Sequence, residues 1–110
     1  MIINQDIQIE KGRTGTIVVA VKGFTSFDDM IVKLYATYRI GKDIIIELTG
    51  VINSIKEEIT FDYTQDTTKD IKWPKLFYEI VLFKADKSYV KNISSGRLFI
   101  RKSIKDNPTV

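Results

Sequence analysis

Apolar and polar residues alternate with a period of two along most of this chain, and no other feature constrains its fold as tightly. Residues spaced this way point to opposite faces of a pleated strand, so one face can be buried while the other meets solvent. The strongest stretch lies toward the carboxy terminus. Lys75-Leu76-Phe77-Tyr78-Glu79-Ile80-Val81-Leu82-Phe83 is rich in aromatic and branched side chains, and Ala85-Asp86-Lys87-Ser88 supplies turn chemistry. Residues 89–93 and 97–102 then run back as a partner strand. A β-hairpin is expected here, with a bulge at Gly96 where Ser94-Ser95-Gly96 interrupts the return strand.

The same pattern recurs upstream. Ile7 and Ile9 alternate with Asp6, Gln8 and Glu10 before a turn at Lys11-Gly12-Arg13. Residues 16–21 form a near-continuous apolar run, as expected of a central strand covered on both faces. Along residues 30–39, Val32, Leu34 and Ala36 oppose Ile31, Lys33, Tyr35, Thr37 and Arg39. Gly41-Lys42-Asp43 turns the chain into Ile44-Ile45-Ile46-Glu47-Leu48, and residues 50–54 read as a connection. Ile59, Phe61 and Tyr63 alternate with Glu58, Thr60 and Asp62. Residues 67–70 fit a capping-box helical turn, which Trp73-Pro74 ends because a residue before proline is pushed out of the helical region. Gly12 and Gly96 are expected to supply a positive φ at a turn or bulge.

About seven short strands and one helical turn in a crossover give an all-β chain. Two antiparallel sheets packed face to face are the first architecture, and a small closed barrel is the second. At 110 residues and 44% hydrophobic, residues 1–110 suffice for a single sandwich domain with one core. Ile17, Val19, Val32, Leu34, Ile59, Phe61, Ile80, Leu82, Leu98 and Ile100 are expected to face inward.

The composition narrows the chemistry. Cysteine is absent, which removes disulfides, thiolate metal sites and cysteine nucleophiles. Histidine is absent too, and with it the usual base near neutral pH and the commonest transition-metal ligand. Catalysis and cofactors are not expected. Asp62, Asp66 and Asp70 are spaced four apart, but the first sits in a strand pattern and no calcium-loop spacing accompanies them. Asp28-Asp29 and Glu57-Glu58 read as turn and solvent-facing residues. The net charge of +3 comes from dispersed Lys and Arg rather than a basic run, so nucleic acid is not the first partner expected. No signal peptide is recognisable at Met1-Ile2-Ile3-Asn4-Gln5-Asp6, so the Asn92-Ile93-Ser94 glycosylation triplet is discounted. The apolar run Ile44-Ile45-Ile46 is too short for a membrane span.

Two segments carry a family resemblance. Ile7-x-Ile9-x-Lys11-Gly12-x-Thr14, leading into the strand at 17–21, is similar to an opening strand, Lys-Gly-Asp-Thr turn and second strand. Tyr78-Glu79-Ile80-x-Leu82, an Asp86-Lys87 turn, and Gly96-Arg97-Leu98-x-Ile100 are similar to a Tyr-Asp-Ile-x-Leu strand and its closing glycine-plus-strand element. In both, the chain resembles the immunoglobulin-like domains of phage and prophage tail and baseplate proteins, above all the amino-terminal domain of siphophage upper baseplate proteins. The resemblance implies an immunoglobulin-like sandwich. It also implies a structural adaptor of the virion, made in the bacterial cytoplasm, with other tail or baseplate proteins or further copies of itself as partners. A tyrosine two residues before a core position would bond its hydroxyl to backbone at a strand corner, and Tyr78 has that spacing relative to Ile80.

Facing arithmetic locates a candidate interface. With Tyr78, Ile80 and Leu82 inward, one sheet presents Tyr35, Phe77, Val81, Phe83 and Phe99 outward with Arg97 and Arg101 among them. Such a face is expected to bind protein, with Phe83 and Phe99 as anchors and the two arginines on the rim. Aromatic cross-strand pairs that merely stiffen the sheet are the plain alternative. A small barrel stacking single-stranded nucleic acid is the second functional reading, and a sandwich binding sugar through Trp73 or a tyrosine is the third.

Overall fold

Alternation becomes strand almost wherever the sequence carries it. The structure, a computed structural model, describes residues 3–21, 30–39, 41, 43–53 and 55–102. In chain order the elements are β1 (Ile3–Asn4), β2 (Ile7–Glu10), β3 (Gly15–Ala20), β4 (Met30–Thr37), β5 (Ile46–Thr49), β6 (Val51–Asn53), β7 (Glu58–Tyr63), α1 (Gln65–Thr68), β8 (Lys75–Lys84) and β9 (Val90–Arg101). They form two sheets. One has the order β1-β9-β8-β4-β5, with β2 also on β9, and the other is β3-β7-β6. In immunoglobulin lettering these are A′-G-F-C-C′ over B-E-D, so the fold is an immunoglobulin-like β-sandwich. It is not wholly antiparallel. β1 and β2 run parallel to β9 in one shared register, Ile3 opposite Ser94 and Ile7 opposite Leu98.

The β8–β9 hairpin forms the middle of the larger sheet, and its bulge lies away from Gly96. Ile80 faces Ser94 while Val81 faces Asn92, which leaves Ile93 as the extra residue. Ile93 and Ser94 therefore both turn into the core. Gly96 stays in the ladder opposite Tyr78, without a positive φ. Glycine is needed there for room, because a Cβ would run into the Gln5 carbonyl oxygen. Gly12 does adopt φ 71°, as its turn requires. At the hairpin tip Lys87 takes φ 64°, and Asp86 accepts the Ser88 N–H at 2.9 Å.

Three expectations are corrected. β3 is an edge strand rather than a covered central one, and Val18 is 51% exposed. Its apolar run misled because threonine, valine and alanine sit acceptably on a half-exposed strand face. The segment expected as a connection contains β6, and Gly50 is the whole link between β5 and β6. There the chain changes sheets over the core. Gly50 N–H donates to the Val32 carbonyl at 2.9 Å, and a Cβ would stand 2.7 to 2.9 Å from Phe61, Val32 and Ile59. Finally, the capping box lies ahead of the one expected at 67–70: Thr64 caps α1, and its N–H donates to Thr67 Oγ1 at 3.1 Å. Buried Thr68 then accepts the Gly12 N–H at 2.8 Å, tying the crossover to the first turn.

All ten residues expected inward are buried, joined by Ile7, Ile9, Leu76, Tyr78 and Ile93 among others. Burying a large aliphatic or aromatic side chain of this kind contributes about 1.5–3 kcal/mol.

Candidate protein interface

The larger sheet presents its outer face in cross-strand rows. From one end these are Ile31–Phe83–Val90, Lys33–Val81–Asn92, Tyr35–Glu79–Ser95, Thr37–Phe77–Arg97, and Lys75–Phe99. Register thus gathers Tyr35, Phe77, Val81, Phe83, Arg97 and Phe99 on one face, with Arg101 beyond them opposite Glu10. The period-2 arithmetic survives the bulge because the inserted Ile93 resets facing in β9 alone.

Exposure separates these residues. Phe83 is only 7% exposed and Val81 9%. Lys87 Nζ lies 4.1 Å from the centre of the Phe83 ring, and Ile31 and Val90 flank it in the row. Phe83 is therefore a packed residue of its own chain and no anchor for another. Phe99 and Phe77 are half-buried, with Arg97 5.5 Å over the first ring and Lys75 5.4 Å over the second. Arg97 also forks onto Asp6, with Nη2 3.0 Å from Oδ2 and Nε 3.3 Å from Oδ1. Arg101 is exposed, in keeping with a rim position.

What remains open is a groove of about 330 Å³ along the third and fourth of these rows. Tyr35 and Phe77 supply aromatic lining, and Glu79, Ser95 and Ile44, which precedes β5, line it as well. The Glu79 carboxylate accepts a hydrogen bond from the Asn92 amide at 3.2 Å. Glu79, Ser95 and Ile44 were not among the expected interface residues. Their signal was present in Ser95-Gly96, two adjacent small residues inside a strand, which leave a hollow beside Phe77.

Beneath the groove, buried Tyr78 closes the junction between β1 and β2. Its hydroxyl donates to the Gln5 carbonyl, and Ser94 Oγ lies 3.3 Å from the Tyr78 hydroxyl oxygen. Burial raises the Tyr78 pKa above the usual tyrosine value, against the hydrogen bond from Ser94, and the charge of Asp6 adds to the rise. Trp73 is 41% exposed and stacked on Tyr38, with ring centres 4.3 Å apart and planes 7° from parallel.

The carboxylates do not gather. Asp62 accepts from Thr16 Oγ1 at 2.8 Å, Asp66 pairs with Lys69 at 3.0 Å, and no group of three or more potential metal ligands occurs among the described residues. Asp28 and Asp29 lie outside the described residues. No helix among the described residues is long and apolar enough to cross a membrane. Compared with known proteins, the chain matches no family model and no curated sequence.

Proposed function

We propose that this chain is a non-catalytic adaptor module of a phage or prophage tail-baseplate assembly, acting through protein–protein contacts. An apolar groove lined by Tyr35 and Phe77, on the larger sheet, carries this reading. A hollow lined in part by aromatic rings suits an inserted side chain from a partner protein. The sequence resemblance supports the assembly context, since its motif residues include Gly12, Tyr78 and Gly96, on which the turn and the β1–β2 junction depend. The partners would be other tail or baseplate proteins and further copies of this chain, and the finished site of action would be the virion.

The nucleic-acid reading draws less support. Phe77, Phe83 and Phe99, three of the rings on this face, each carry a cation from their own chain. A ring face engaged in this way offers less to a base.

Immunogold electron microscopy of particles released from the source bacterium tests the proposal, using antibody against this chain. Label at the tail tip is expected, with loss of incorporation in Tyr35→Asp/Phe77→Asp protein that still gives a sheet spectrum. Unlabelled particles would overturn it, as would wild-type protein that binds single-stranded DNA with affinity falling steeply in salt.

A further inference from the structure

The smaller sheet ends on a strand that lacks the usual protection. β3 pairs with β7 on one side, and among the described residues no backbone hydrogen bond reaches its other side. Natural edge strands are commonly blunted by charge, proline, a bulge or brevity. Other edges here carry such devices: β5 has Glu47, β2 has Glu10, β6 is three residues long, and the stretch of β9 before Ser94 holds Lys91 and the bulge. β3 is Gly-Thr-Ile-Val-Val-Ala, six residues without charge or proline.

Its open hydrogen-bonding groups can be identified. Val21 N–H donates to the Glu57 carbonyl at 2.8 Å, so the pair at 21 and 57 is hydrogen-bonded. In an antiparallel ladder such pairs alternate, so Val19, Ile17 and Gly15 also point their backbone groups at β7. The N–H and C=O of Thr16, Val18 and Ala20 consequently point to the free edge. Val18 also stands outward in a row with Thr60 and Val51, the latter 66% exposed.

We infer that β3 joins a second copy of this chain, antiparallel and centred on Val18, making one continuous six-stranded sheet across a two-fold axis. Opposite residues must share a face, and this register satisfies that while using all three open residues. Val18 meets Val18, and Thr16 meets Ala20. The molecule carries +3, so self-pairing needs a contact free of like charges, and this strand provides one. The row Val51–Thr60–Val18 would then run on into its mate. A contact of one strand pair is small, so the dimer should dissociate on dilution. The inference is independent of any role in a tail.

Because the chain has no cysteine, a single substitution reports the geometry. Val18→Cys should form a disulfide-linked dimer under mild oxidation, whereas Val51→Cys and Ile55→Cys, at more exposed positions, should link far more slowly. In analytical ultracentrifugation the wild-type mass should rise with concentration toward two chains. Val18→Lys and Val18→Glu should each stay monomeric, with melting near the wild type, and their mixture should recover the dimer. Equal cross-linking at all three cysteines, or a wild type that stays monomeric throughout, overturns the inference.

Discussion

The Tyr78 hydroxyl donates its proton to the Gln5 carbonyl, 73 residues away in sequence, at the break between β1 and β2. A tyrosine at this point of an immunoglobulin-like sandwich was expected to bond backbone at the corner leading into its own strand. It bonds backbone, but that of the link between β1 and β2. The hydroxyl holds the link between the two strands that run parallel to β9, and Gly96 and the Arg97–Asp6 pair hold the same junction.

Tyr78→Phe should therefore lower stability by about 0.5–1.5 kcal/mol in urea denaturation. Amide exchange at Gln5 and Lys11, which bond Ser95 and Arg101 across this junction, should quicken more than exchange in β7. An unchanged midpoint would mean that the bond contributes nothing.

Gly50→Ala and Gly96→Ala test the two close approaches. The first puts a Cβ against Phe61, Val32 and Ile59, and the second puts one against the Gln5 carbonyl. Each should destabilise by about 1–3 kcal/mol. Gly41→Ala has open space for its Cβ, so only strain from φ 87° should register there. Equal melting points for all three variants would contradict the packing argument.

Truncating Ile80 or Leu82 to Ala should cost about 2–5 kcal/mol, since both are essentially fully buried. Val90→Ala, at a 60% exposed neighbour of Phe83, should change stability by less than about 0.5 kcal/mol. The reverse ranking would put the β8 register off by one residue.

Alkaline pH should weaken the fold through two tyrosines. Burial raises the pKa of Tyr63 and of Tyr78, with the Glu10 charge adding to the first. The folded state then holds these protons more tightly than the unfolded chain. Their stabilising effect is complete below the unfolded value of about 10 and is lost as pH rises through the higher folded values. The denaturation midpoint should fall over that range, and Tyr63→Phe/Tyr78→Phe should flatten the decline.

Sequence alone determined which residues face inward, because a strand's side-chain period is a local property that any neighbour must respect. Val32, Leu34 and Ala36 in β4, and Ile59, Phe61 and Tyr63 in β7, were legible for that reason. So was the gathering of Tyr35, Phe77 and Phe99 on one face. Neighbour identity was not legible, since strand order depends on contacts between distant segments. Only the tertiary structure decided that β3 is an edge, that β1 and β2 lie parallel on β9, and that Gly50 is where the chain changes sheets. It likewise decided which outward rings stay available. Phe83 and Phe77 belong to the same alternation, but Lys87 folds back over one and Ser95 leaves a hollow beside the other. That difference comes from turn geometry and cross-strand partners, which a period of two does not encode.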